Sequence, residues 1–361
     1  MAISTTVVPI SDVKVGIKGE TSFGVGLDSS GADGTAYRQL PVVQATKPTF
    51  NITRESRLLS GRGLVKNAAD TIITAKNGTV TAPFEFLATP ELLLQHLAMV
   101  TQTIATDDTN VYSVEVDGSN NPASIGGSIS SGMPHTVNLA YYPKASEGIK
   151  VTGAVVSDMT LSGDVGSNGG NLTMSGNYFS GFANPLSTGS VLEQTFNGTW
   201  VEPDAGVFFN MGSLSTKQLE VDGTDDQDLI LKSFNFNISN GVNRVGSNTN
   251  GDAELYAFPE YVVTGDITFK YDTEVGLAAG TNVVQSFLDG NTCTLDLKFG
   301  DGTVSSVSEM NILAEVQFTG DPTEDISENG IFFTVPFECV QNSSTEAFKA
   351  SLFSDTAISA M

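Results

Sequence analysis

Cysteine and histidine are scarce, with two of each in 361 residues. Cys293 and Cys339 cannot supply a multi-bridge framework, and both sit in apolar, strand-like contexts where a thiol is expected to be buried and free. His96 and His135 have no cysteine or acid at ligand spacing, so neither is expected to hold zinc or to act in catalysis. Basic residues are few: 17 Lys and Arg stand against 41 Asp and Glu, a net charge of −24. That balance argues against a protein that grips nucleic acid, because affinity for phosphate comes from clustered cations. It suits a surface that nucleic acid slides past, since like charges repel. No apolar run approaches the roughly 20 residues that span a bilayer, so no membrane partner is expected. The opening MAISTTVVPISDVKVG has no basic start followed by an apolar stretch. We therefore expect no export signal and folding in a reducing cytoplasm. No GxSxG, P-loop or GxGxxG stands in a strand-to-helix setting, so no enzyme and no cofactor are expected. The acidic run Asp222 to Asp228 lacks the spaced acids, central glycine and closing glutamate of an EF-hand, and reads as a solvated turn.

What the chain does contain is short apolar bursts, such as LILKSFNFNI and NILAEVQFTG, separated by turns; glycine alone accounts for 37 residues. Bursts of this length favour strands. One stretch is different. Thr79, Thr81, Phe84 and Phe86 alternate as a strand, and then Thr89, Pro90 and Glu91 read as N-cap, first-turn proline and first-turn acid. Leu92, Leu93, Leu94, Leu97 and Ala98 follow as a helical apolar face.

A fainter copy recurs downstream. TFNIT around Phe50 matches NFNIS around Phe236, Gly78 matches Gly265, and Gln95 matches Gln285. Beyond the helix the spacing shortens once and then holds, with Thr136 matching Cys293 and Gly163 matching Gly320. A single insertion in the first copy, residues 101–133, accounts for all five matches. It reads as a loop or hairpin with one short strand, VYSVEV, and as an outward decoration. The expected fold is mainly β with one flanking helix per unit: two tandem sandwich or barrel domains, 1–187 and 188–361. The segment 188–228 would supply the second domain's first strands. Trp200 reads as core or subunit packing, and residues 345–361 as a short helix or a tail against a neighbour. Unpaired strand edges in such a fold can be completed by another molecule.

The phrase GETSFGVGLDSSGADGTAYRQLPV, Gly19 to Val42, resembles the opening of a bacteriophage tail tube family. RESRLLSGRG, Arg54 to Gly63, is similar to that family's segment after the second strand. The resemblance implies a structural virion protein, made in the host cytoplasm, that self-assembles into stacked rings around a channel for DNA. Its partners would be further copies of itself, the tape measure, the tail tip or baseplate, the terminator, and DNA passing without specific binding. Two units per chain would give three chains per ring with pseudo-sixfold symmetry. The bases are unevenly placed: Lys47, Arg54, Arg57, Arg62, Lys66 and Lys76 cluster within one segment. Arg54, Arg57, Arg62 and Lys66 are the candidates for inter-ring or inter-subunit contact, where opposite charge sets register and speeds docking. A solvated loop is the plain alternative. For the protein as a whole the alternative is another β-rich surface structure, such as an adhesin, a fibre or an S-layer unit.

Overall fold

The computed structural model describes residues 13–20, 23, 36–41, 46–51, 54–56, 71–73, 78–126, 136–144, 147–182, 192–193, 199–202, 208–221, 226–247, 252–270, 283–300, 304–306, 309–327, 330–342 and 345–354. The architecture is mainly β, with two α-helices, α1 (Pro90–Thr101) and α2 (Val283–Asp289). Alternation in the sequence becomes alternation in burial: Thr292–Phe299 buries every second side chain, and Thr79–Leu87 buries Val80, Ala82, Phe84 and Phe86.

One continuous antiparallel sheet organises the molecule. Its strands lie in the order Thr49–Asn51, Thr79–Leu87, Thr173–Ser180, the second half of Glu147–Asp164, Leu231–Ser239, Val262–Lys270, Gly330–Cys339 and Thr323–Ser327. Four of these eight strands come from each half of the chain. Most of the remaining strands form the opposite layer; Arg54–Ser56 with Thr71–Ile73, and Asn243–Val245 with Leu255–Ala257 and Ser124–Ile125, form two small separate sheets. In the first half, Lys14–Gly19 pairs with Val137–Lys144, which pairs with the first half of Glu147–Asp164. In the second half, Leu214–Val221 pairs with Thr292–Phe299, which pairs with Met310–Phe318. The order of pairing is the same in both halves.

Between the layers lies one shared apolar core. It runs from Phe86 and Leu93 in the first half to Phe236, Phe337 and Phe348 in the second, all buried. Helix α1 is inside this core rather than on a flank: all twelve of its residues are buried, its polar Glu91 and His96 against partners from other elements. Thr89 takes the N-cap position in extended conformation and Pro90 the first turn, as expected, but no side-chain cap bond forms from Thr89. The helix ends on Gln102 in the left-handed region, whose N–H donates to the Ala98 carbonyl. Helix α2 is the weaker element. It buries only Val283 and Ser286, and Leu288 is exposed.

Three expectations need correction. The insertion is not an outward decoration. Ala105–Asp108 and Val111–Val116 form a hairpin, and the second of these strands pairs with Phe348–Phe353, which in turn pairs with Met310–Phe318. Val114 and Val116 are buried, so leaving this hairpin outside would strand an apolar face in water. Among residues 345–361, Phe348–Phe353 is therefore a strand and not a helix; its alternating burial selects the two-residue period. The linker also divides between the halves. Leu192–Glu193 pairs with Gly148 and Ile149, and Thr199–Val201 runs parallel to Ala36–Gln39, so both serve the first half; Leu214–Val221 and its partner Asp226–Asp228 serve the second. Trp200 packs beside Tyr37 and Tyr142, at 5.9 and 6.0 Å between ring centroids. The expected domain boundary at 187/188 lies outside the described residues.

Candidate assembly surfaces

The two halves meet at a β-seam. Glu147–Asp164 and Leu231–Ser239 pair antiparallel from Asp158↔Ser239 to Asp164↔Ser233. Thr160 Oγ1 donates across it to Asn237 Oδ1 at 2.7 Å. Asn240, fully buried, ties the seam to the helix: its Nδ2 donates to the carbonyls of Val100 and Val156 at 3.0 and 2.9 Å, and its Oδ1 accepts from the Val242 N–H. One of those carbonyls belongs to the last turn of α1, where carbonyls lack helical partners.

A hairpin, Asn243–Val245 with Leu255–Ala257, folds from the second half across the seam onto the first. Its Tyr256 hydroxyl donates to the Gly153 carbonyl at 2.6 Å and accepts from the Gly181 N–H at 2.7 Å. Arg244 donates to the carbonyls of Gly78 and Gly181 at 3.2 and 3.0 Å. Phe23 stacks edge-on against Tyr256 at 4.8 Å, and Glu20 accepts from Thr136 Oγ1 and the Gly153 N–H, each at 2.6 Å. Glu20 and Phe23 belong to the GETSFG phrase. Their place at this junction gives that phrase a physical role. Sequence reasoning missed Tyr256 and Asn240, since nothing local marks a residue whose partners are distant in the chain.

The eight-strand sheet has two unlike faces. One packs on the core. The other is polar and carries Glu85, Asp158, Asp164, Asp266 and Glu338 on four of its strands among Ser, Thr and Asn. Side-chain bonds knit this face across strands: Asn177 Nδ2 donates to Asp158 Oδ1 at 2.8 Å, Asn235 Nδ2 donates to Asp266, and Thr268 bonds Thr334 at 2.9 Å. The cations beside it, Lys232 and Lys270, lie toward the Thr323–Ser327 end. There Lys232 is 3.6 Å from Asp325, and the Lys270 strand closes on Phe332. A shallow hollow lined by Glu85, Asp158, Thr160, Ser175 and Asn177 opens on the same face.

Both borders of this sheet stand open among the described residues. Among the described residues, Thr49–Asn51 pairs only with Thr79–Leu87, and Thr323–Ser327 only with Gly330–Cys339. Beyond the first border, Arg54 begins Arg54–Ser56, which pairs with Thr71–Ile73 in a separate hairpin. Of the four basic contact candidates the structure thus places the backbone of Arg54; Arg57, Arg62 and Lys66 lie outside the described residues.

The remaining candidates are structural. His96 is fully buried in α1. A carbonyl can only accept, so Nδ1 donates to the Leu92 carbonyl at 2.6 Å, and Nε2 accepts from the Tyr178 hydroxyl at 2.5 Å. Burial lowers its pKa to about 4, partly opposed by the Leu92 bond, so the ring is neutral at pH 7. His135 lies outside the described residues. Cys293 and Cys339 are buried free thiols, as expected, and burial raises the Cys339 pKa, with nearby Glu338 adding to the effect. Of the 222–228 run, Asp226–Asp228 pairs with Leu214–Val221; residues 222–225 lie outside the described ones. No group of three metal-ligating side chains occurs among the described residues, and no described helix is long and apolar enough to cross a membrane.

A two-faced sheet with open borders, built over one apolar core, defines a β-structural protein whose surfaces suit assembly. The chain belongs to the phage tail tube proteins: a family model of that description matches residues 10–339. It is thus a structural component of a phage tail and of the virion, and the family is one of self-assembling tail parts. Comparison with curated proteins gives no match.

Proposed function

We propose that this chain forms the wall of the tail tube as rings of three copies, with the acidic face of the eight-strand sheet turned to the bore. The observation that carries the reading is the sheet itself. It crosses both halves without a break, covers the core on one side and presents carboxylates on the other. A bore lined this way repels DNA phosphate at every step, so the duplex passes without arrest. Curling the sheet into a closed barrel would remove both open borders.

Three copies per ring follow if the chain is an internal duplication, and the shared pairing order of its halves supports that. The burial pattern aligns Val80, Ala82, Phe84 and Phe86 with Val263, Gly265, Ile267 and Phe269. This shifts the match by four residues from the Gly78–Gly265 alignment suggested by sequence. Each chain would then contribute two pseudo-equivalent units to a pseudo-sixfold ring. Arg54, Arg57, Arg62 and Lys66 would act at contacts between copies. Further tail components would cap and measure the tube.

Labelling tests the orientation. Glu338 is exposed on the acidic face. A Glu338→Cys variant, assembled and treated with a maleimide-linked gold cluster, is expected to show label density within the channel by electron microscopy. Label on the outer surface would contradict the assignment of this face to the bore.

A further inference from the structure

We propose that the exposed turn at Asn168–Gly169 is a self-modification site, where the Asn168 side-chain amide converts without an enzyme to a carboxylate at the rim of the acidic face. The site stands whether or not that face lines the bore. An Asn–Gly pair lets the backbone nitrogen reach the preceding side chain readily, because glycine has no Cβ to obstruct the approach. The sequence holds six such pairs, beginning at Asn77, Asn168, Asn197, Asn240, Asn250 and Asn329. Of these asparagines, Asn168 and Asn240 are among the described residues. The fold gives the two opposite chemical freedom.

Asn168 and Gly169 are exposed, in the turn that joins Glu147–Asp164 to Thr173–Ser180. Both have left-handed backbone, with φ of 50° and 66°. The turn is held by the Gly170 N–H on the Ser167 carbonyl at 2.8 Å and by the Asn171 N–H on the Asn168 carbonyl at 3.3 Å; the Gly169 N–H is in neither bond. Asn210 Nδ2 holds the Gly169 carbonyl at 3.0 Å, at the far end of that residue from the reacting nitrogen. Among the described residues the Asn168 side chain makes no hydrogen bond. Asn240 is its opposite: fully buried, with Nδ2 donating to two carbonyls and Oδ1 accepting from the Val242 N–H. An amide bound in this way cannot turn toward the Gly241 nitrogen unless the seam first opens.

In the reaction the Gly169 nitrogen attacks Asn168 Cγ. The N–Cγ bond forms, the Cγ–Nδ2 bond breaks, and the proton of the Gly169 N–H leaves with Nδ2 as ammonia. Water then opens the cyclic imide at either carbonyl, giving aspartate or isoaspartate. The balance needs no oxidant, reductant or cofactor. Either product is ionised at neutral pH. The turn shares a hollow with Asp164 and Asp266 of the acidic face. A neutral amide there becomes a further carboxylate, and on the tube reading the added charge strengthens the repulsion of phosphate. Isoaspartate also adds a methylene to the backbone, which lengthens the turn that Asn210 grips through the Gly169 carbonyl and Asn171 Oδ1.

Peptide mapping by mass spectrometry tests the site in the folded full-length chain, incubated for days at mildly alkaline pH and sampled over time. The peptide holding Asn168 is expected to show the amide-to-acid mass change, split into aspartate and isoaspartate forms that separate on chromatography. Asn240 is expected to react at least about tenfold more slowly, since its amide is released only by local opening. In urea that unfolds the chain, the two rates should converge. A second variant, Gly169→Ala, places a Cβ that meets nothing within 4 Å, so it brings no clash, but at φ +66° the added methyl obstructs the attack. It is expected to slow conversion of Asn168 by about tenfold or more, as the freedom of glycine is lost. An Asn168 that stays intact in the folded chain, or an Asn240 that reacts as fast, would overturn the site. Equal rates in wild type and Gly169→Ala would overturn the imide route. Each of these outcomes leaves the tube reading standing.

Discussion

Replacing Phe236 by alanine should destabilise the whole chain by about 3–5 kcal/mol, the usual cost of a large core aromatic. Phe236 is fully buried in Leu231–Ser239, the strand that carries the internal seam. Its ring meets Phe337 and Phe348, each at 5.4 Å between centroids, and Phe234 at 5.9 Å. Its backbone pairs with Leu161 of the first half and Gly265 of the second. One side chain therefore holds together both halves and the C-terminal strand. A loss of this size is a large share of the roughly 5–15 kcal/mol that typically stabilises a protein. Because the core is continuous, urea unfolding followed by fluorescence and by circular dichroism should show one transition that moves as a unit. Two transitions, of which Phe236→Ala shifts only one, would mean that the halves fold independently.

Acid should weaken the fold through His96, and the direction is fixed by its burial. In the unfolded chain the imidazole titrates near its ordinary value of 6.5, and in the fold near 4. Below pH 6.5 the unfolded chain binds a proton that the folded chain refuses, so stability falls as pH drops from about 6.5 to about 4. A shift of this size is worth about 3 kcal/mol across that window. The groups packed round the ring are Phe84, Phe86, Tyr178 and the Leu92 carbonyl. Burial raises the Tyr178 pKa, so that hydroxyl stays neutral throughout the window and cannot offset an imidazolium. A His96→Gln variant should lose this part of the acid slope while keeping the part due to carboxylates, which both proteins share. The comparison requires urea midpoints at pH 7, 5.5 and 4.5. Equal slopes in the two proteins would show that His96 is not held neutral.

Much of this was legible in the residues, for reasons that can be named. Helix α1 is announced by Thr89-Pro90-Glu91 because those residue types suit the geometry of a first turn. Thr79–Leu87 and Thr292–Phe299 show their two-residue period because each has one face on the core. The phrases Gly19–Val42 and Arg54–Gly63 pointed to the tail tube family, which the match over residues 10–339 bears out.

What escaped depends on distant partners. VYSVEV reads as a strand, but its partner Phe348–Phe353 lies at the far end of the chain, and no local pattern names it. FKASLF is short enough to fit a helical or a strand period until the pairing is known. The carboxylates Glu85, Asp158, Asp266 and Glu338 are scattered in sequence and share a face only once six strands are set in register. The Leu-rich face of α1 reads as that of a helix on a flank. That Glu91, Gln95 and His96 are buried as well follows from partners elsewhere: Arg38 pairs with Glu91, and Tyr178 bonds His96.

Electron microscopy of assembled full-length protein tests the central claim most directly, since one image set reports chain number, channel and sheet closure. The account predicts closed rings of three chains around an open channel, the inner wall a single barrel in which internal and external seams alternate. Rings of six chains, or particles in which Thr49–Asn51 and Thr323–Ser327 both face solvent, would contradict it.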